Sequence, residues 1–223
     1  MNRIVDKAMA AGLGNQPVAG LVRDADRLAM QEAAARKIEE LFDVLMIDHR
    51  NDHNTRDTPA RVARMYVEEL LKGRFSPPPK LTEFDNVENC DQLIVTGPLD
   101  VRSTCAHHLM PIAGHAVIGV LPARDGKIIG LSKYDRIVDH FSSRLLILEE
   151  MVKQIERFIV DHTAPRGLAV RVSAVHMCKT HRGVRASRAS RMVNTSYYGE
   201  LAADPQLKAE FLQECAMLER GLA

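Results

Sequence analysis

The chain has 223 residues, 46% of them hydrophobic, enough for one large domain or for a domain with a helical extension. A formal net charge of +1 supplies no global field toward nucleic acid or a membrane surface. The cysteines, Cys90, Cys105, Cys178 and Cys215, are far apart and form no CxxC, which argues against a disulfide framework and fits a reducing compartment.

The N-terminal Met1-Asn2-Arg3-Ile4-Val5-Asp6-Lys7 lacks the apolar run of a signal peptide, and no apolar stretch is long enough to span a membrane. A cytoplasmic protein is expected. In residues 1–25, Gly12, Gly14, Pro17 and Gly20 interrupt any regular element, so this part reads as a mobile arm. From Asp26 to Leu45 apolar residues recur at helical spacing, opening a helical region over 26–76. The polar run Asp48–Asn54 reads as a solvated loop, its two histidines included. A second helix is expected from Asp57-Thr58-Pro59, with Thr58 as N-cap and Lys72-Gly73 as the stop. Arg61 and Arg64 lie one turn apart on it, as solvated side chains or as phosphate ligands.

Pro77-Pro78-Pro79 marks a stiff link, after which residues 80–223 form a second domain. The period there changes to two. Gln92 to Thr104 and His115 to Pro122 read as strands, and Lys127–Ile129 as a short strand pairing with them. Ser132 is placed as the cap of a helix running to about Asp161, with a break near Ser142-Ser143. Phe141, Leu145, Leu148, Val152, Ile155 and Ile159 give it one apolar face. Glu149 falls at the edge of that face and is expected to be half-buried, a candidate for gripping a base edge or a cation. Leu168 to Cys178 reads as the final clear strand. A locally basic run follows, from Lys179 through Arg182, Arg185, Arg188 and Arg191, and a helix over about Pro205–Arg220 ends the chain. The basic run suggests a small phosphate ligand rather than nucleic acid, which would want a broad basic surface.

Chemistry concentrates in two stretches. Ser103-Thr104-Cys105-Ala106-His107-His108 carries one thiol and two imidazoles, and Val175-His176-Met177-Cys178 repeats those residue types. Thiolate and imidazole are the usual zinc ligands. Cys105, His108 and Cys178 make a candidate metal set that leaves a fourth position for water, with His107 and His176 free as proton carriers. Taken alone, CxxH is a weak signature, and a lone cysteine is as readily a small buried hydrophobe.

Several stretches together resemble the GTP cyclohydrolase I family over about residues 30–215. Asp57–Glu69 is similar to its TPxRVAxMYxEE helix, and Ser103–Pro111 to its STCEHHLxP segment. Ile129–Val138 and His176–Val184 are similar to its IGLSKxxRIV and HxCxxxRGV segments. The resemblance implies an α+β tunnelling fold, an antiparallel four-stranded sheet with two helices on one face plus N-terminal helices. It further implies a homo-oligomer, a decamer with sites between subunits. It implies Zn2+ on Cys105, His108 and Cys178, and conversion of GTP and water to 7,8-dihydroneopterin triphosphate and formate, the first step of tetrahydrofolate or 7-deazaguanine synthesis. His107 and His176 match proton-transfer histidines. Ser132, Lys133, Arg136 and Arg182 match triphosphate and ribose contacts. Arg64 matches a basic residue given by a neighbouring subunit, and Glu149 the carboxylate that holds guanine.

The chain departs from the family pattern at Ala106, where a Glu is usual, and at Leu146 and Leu148, where Gln is usual. Leu148 cannot hydrogen-bond a base, which predicts weaker GTP binding or altered regulation. The competing expectation is a weakened paralogue that binds a purine nucleotide as a regulatory or assembly subunit.

Overall fold

The computed structural model describes residues 15–220 together with Asp6 and Met9; the rest of the first fourteen residues, and with them most of the expected arm, lie outside the described residues. Two compact units divide the chain, Met1–Pro77 and Pro78–Ala223.

In the first unit, helix α1 (Asp24–Val44) starts at Arg23, whose backbone N–H and guanidinium both donate to the Asp26 carboxylate at 2.9 and 3.0 Å. Those bonds hold the Asp26 carboxyl down to about 2. Helix α2 (Thr58–Arg64) carries Pro59 in its first turn, where a missing N–H costs nothing. Its N-cap position is Asp57 rather than Thr58, which lies one residue too far in to cap. The helix then widens into a π-helical turn over Met65–Leu70 and resumes as a short helix, α3 (Lys72–Phe75), so Lys72-Gly73 is not its stop. Val18, Val22, Val67 and Phe75 form a small core. Val18 donates its N–H to the Arg74 carbonyl at 2.8 Å, so the described end of the expected arm is tied down. His49 also departs from the expected solvated loop. It is 4% exposed, its ring edge-on to Phe42 at 5.6 Å.

The second unit is α+β. A five-stranded sheet has the order β5-β2-β3-β6-β7, from β2 (Ile94–Cys105), β3 (Pro111–Leu121), β5 (Leu145–Leu146), β6 (Gly167–His176) and β7 (Arg191–Gly199). The four long strands are antiparallel, and the two-residue β5 adds a parallel pairing beside Thr104 and Cys105. Strand β4 (Lys127–Ile129) does not join them. It pairs with β1 (Glu83–Asp85), a strand not anticipated from the sequence. Pro122 follows β3 and has no N–H to continue the ladder. Buried Asn86 then donates to the Ala123 and Cys90 carbonyls at 3.0 and 2.8 Å, drawing the turn toward β1. Strand β7 is likewise not anticipated from the sequence; it begins at Arg191, where the basic run ends.

Helices α4 (Leu131–Ser142) and α5 (Leu148–Thr163) cover one sheet face. Ile137, Val138, Val152 and Ile155, all fully buried, meet alternate residues such as Val101, Ile118 and Val170. The period-two pattern of the strands and the 3.6 pattern of the helices thus close one core. The other face receives α7 (Glu200–Ala203) and α8 (Pro205–Leu218), which bury Leu201, Phe211 and Cys215 against Val117, Leu121 and Ala169. Burial pushes the Cys215 thiol up to about 12. Beyond α8, Glu219 accepts from Arg171 Nε at 3.3 Å and lies 3.1 Å from His115 Nε2, clamping the chain end to the sheet. Asp204 caps α8 by accepting from the Gln206 N–H at 2.7 Å. No helix of the described residues is long and apolar enough to cross a membrane.

Phe211 fits because residue 119 is glycine: a Cβ there would stand 2.6 Å from the ring. Phe211→Ala should therefore cost about 3–5 kcal/mol. Gly119→Ala should destabilise the native chain but be nearly neutral in the Phe211→Ala background, a coupling that denaturant unfolding of the four proteins would measure.

Candidate functional site

Cys105 is the last residue of β2 and is buried at 4% exposure. The chain turns back at once: Cys105 donates to the Met110 carbonyl at 2.8 Å, and its own carbonyl accepts from Leu109 N–H at 3.0 Å. Leu109 adopts φ 54 to close the turn. This reversal returns His108 beside Cys105. Strand β6 ends at His176, not at Cys178 as the sequence suggested. Met177–Thr180 instead forms one helical turn, α6, with His181 N–H bonding to the Met177 carbonyl. The turn carries Cys178 off the plane of the sheet, so it does not share a strand face with His176.

Strand β3 brings the two stretches together. Its first residues pair with both neighbours, Pro111 with Thr104 and Ile112 with Ser103 on one side and His176 on the other. The flanking strands lie ~9–10 Å apart at this level. Each then bends away from its ladder, and Sγ of Cys105, a ring nitrogen of His108 and Sγ of Cys178 all come within 4.8 Å of one another. Tetrahedral zinc would set two sulfurs about 3.8 Å apart. Two thiols and one imidazole at this spacing fit such an ion with one position left open. Burial pushes the Cys178 thiol up, and the adjacent Cys105 pushes it the same way. A bound dication would reverse that preference.

Around this group the sequence candidates separate. His107 is exposed, its ring edge-on to His108 at 6.3 Å. His176 is half-buried, and its Nε2 is buried with no hydrogen-bond partner among the described residues. Burial pushes its imidazole down, the Glu149 carboxylate opposes that, and Lys179 adds to it. Glu149 therefore lies within electrostatic reach of His176. Its side chain is exposed rather than half-buried. The reason is that the long helix is interrupted: α5 restarts at Leu148, so Glu149 sits in a first turn, where the helix dipole favours a carboxylate.

Ser132, Lys133 and Arg136 occupy the first two turns of α4. Gly130, in an extended conformation, is the N-cap; Ser132 is already helical, and only Lys133 is half-buried. Among the described residues no hydrogen bond or ion pair joins these three to the cysteine–histidine group. Arg182 is exposed just after α6, close enough for its charge to favour the Cys178 thiolate. Gly183 and Arg185 take φ 61 and 50, folding the basic run back so that Ala186 N–H reaches the Lys179 carbonyl. Arg64 belongs to the first unit, exposed at the end of α2. The sequence reading missed Arg144, 3% exposed at the helix interruption; an arginine beside two serines looks like an ordinary loop residue.

The departures from the family pattern also have places. Ala106 is exposed, and its N–H bonds the Leu146 carbonyl at 3.4 Å. Leu146 and Leu148 are 4% and 1% exposed, both in the main core. Leu148 thus faces the sheet rather than a ligand, which removes the reason to expect weaker GTP binding from it. Leu148→Gln would bury an amide and should cost about 1–3 kcal/mol, read as a lower denaturation midpoint with GTP affinity unchanged.

The model of GTP cyclohydrolase I matches residues 34–216. GTP cyclohydrolase 1 of Shewanella denitrificans is 36% identical over 178 residues, covering 79% of this chain and 80% of that protein. The Shewanella oneidensis protein of the same name is 35% identical over 178 residues, covering 79% and 81%. A solved structure of the archaeosine synthase QueF-Like in the apo form aligns with TM-score 0.38 at 13% identity, over 55% of this chain and 97% of that one, too distant to carry weight. The matched span takes in β2, α4, α5 and α6, and with them every cysteine and histidine of the group just described: the chain belongs to the GTP cyclohydrolase I family.

Proposed function

We propose that this protein converts GTP and water to 7,8-dihydroneopterin triphosphate and formate, using Zn2+ held by Cys105, His108 and Cys178. The observation that supports it most is the convergence of these three donors, with a His176 nitrogen buried without a hydrogen-bond partner among the described residues. Zinc bound there supplies a Lewis acid able to bring the pKa of a water toward ~7.

The chain's own groups fall into roles by position. His176 and His107 flank the group as proton carriers, one for the purine and one for the ribose. Opening the imidazole ring after water adds at C8 needs a proton delivered to the departing nitrogen, and a half-buried imidazole is suited to that exchange. Glu149, at the head of α5, accepts from the N1 and N2 hydrogens of guanine. Adenine offers no such pair of donors, so the carboxylate selects for guanine. Ser132, Lys133 and Arg136, at the N-terminal end of α4, hold the triphosphate with Arg182, where helix N–H groups add to the cationic side chains.

We further read the second unit as a tunnelling-fold domain that assembles edge to edge. Along β2 before Thr104, and along the outer side of β7, the described residues provide no neighbouring strand. Such edges invite pairing with another copy. A homodecamer with sites between subunits, and Arg64 supplied by a neighbour, follow from this reading. A cytoplasmic enzyme opening folate or 7-deazaguanine synthesis completes it.

The deciding measurement is formate release from GTP by zinc-reconstituted protein, alongside Cys178→Ala. Wild type should release formate and yield a pterin that fluoresces after oxidation, and the variant should lose at least ~10³-fold in kcat with its fold retained. GTP binding without formate release from the metal-loaded oligomer would instead favour a purine-nucleotide-binding regulatory or assembly subunit.

A further inference from the structure

Arg144 lies in the link between α4 and α5 and is 3% exposed. A guanidinium that deep is tolerated only when its donors are met. Nη2 donates to Nε2 of His140 at 2.6 Å, and Nη1 donates to Oε1 of Gln154 at 3.0 Å. The guanidinium carbon stands 4.7 Å from the centroid of the Phe141 ring. His140 and Phe141 belong to the last turn of α4, and Gln154 to the second turn of α5. One planar cation therefore ties the end of one helix to the start of the next.

Between them runs the segment that carries Glu149. Among the described residues the Glu149 carboxylate makes no hydrogen bond or ion pair. Its position is set by how α5 is held. Leu148 fixes the depth of the helix start, being 1% exposed in the core. The buried stripe of Met151, Val152, Ile155 and Ile159 fixes which side of α5 meets the sheet. The arginine fork adds a directional tie at the head of the helix, since its donors lie in a plane and demand aligned acceptors.

We propose that Arg144 is a positioning residue. Through His140 and Gln154 it sets the angle at which α5 presents Glu149, and so sharpens the choice of guanine over purines that lack a 2-amino group. The inference rests on the reading of Glu149 as the base-binding carboxylate.

Two variants test it. Arg144→Lys keeps the charge and loses the fork, and Gln154→Met loses only the forward bond at similar volume. Calorimetry gives their affinities for GTP and inosine triphosphate, which differ by the 2-amino group alone. Formate release gives kcat and KM, and the absorption of the cobalt-loaded protein reports on the Cys105–His108–Cys178 group. The GTP-to-inosine-triphosphate affinity ratio should fall at least ~5-fold in both, with KM for GTP raised similarly, kcat within ~2-fold and the cobalt spectrum unchanged. Should Arg144→Lys fail to fold, Gln154→Met decides. Equal losses for the two nucleotides, or a ratio unchanged in Gln154→Met, would overturn the inference alone. Equal affinity of the wild-type protein for both would overturn the Glu149 reading and the inference with it.

Discussion

The register of β3 is the constraint on which the rest depends. It is the middle strand, paired along its length with β2 and β6. Because Ile112 lies opposite both Ser103 and His176, two segments some seventy residues apart in sequence end at the same level of the sheet. A slip of one residue would turn Ile112, Ala116 and Ile118 out of the core. The packing of β3 on both faces, Ile112, Ala116 and Ile118 on one and Val117 and Leu121 on the other, therefore fixes the meeting of Cys105 and Cys178 as firmly as any contact between them does. Gly114 reinforces the register, since a Cβ there would fall 2.0 Å from the Ser173 carbonyl oxygen.

Stability and chemistry are kept apart in this arrangement. The core between sheet and helices is built from strand and helix interiors, which are rigid and dry. The chemical groups stand where elements end: Cys105 at a strand terminus, His108 in a turn, Cys178 in a single helical turn, and Glu149 at a helix start. End positions leave ligand atoms free to converge while the backbone behind them is held by ladders. They also leave side chains exposed in the single chain, as with His107, Arg182 and Glu149.

Much of this was legible in the residues. The Cys and His types and their pattern pointed to one cluster that could hold a metal, and alternation and helical spacing found β2, β3, β6 and the apolar face of α5. What escaped had definite causes. Strand β7 was masked by the basic run before it, whose last arginine, Arg191, is the first residue of the strand. The pairing of β4 with β1 depends on Asn86 bonding across a loop, which no periodicity records. Glu149 was placed at the edge of a core face by counting 100° per residue, but at a helix start the packing partner on one side is missing. Leu148 looked like a lost ligand contact because the family usually has Gln there; its burial beside exposed Glu149 shows that adjacent positions at a helix start point to opposite environments.

The π-helical turn at Met65–Leu70 has a consequence for chain length. Leu71 N–H reaches the Tyr66 carbonyl at 3.0 Å, five residues back instead of four. The wider turn absorbs one residue more than an α-helix needs. Loss of a single residue there would convert the turn to ordinary α-helix and leave Arg61 and Arg64 before it, and Phe75 after it, on the faces they now occupy. This stretch is thus a built-in expansion joint, the one place in the helix where insertion and deletion exchange without rotating what lies on either side.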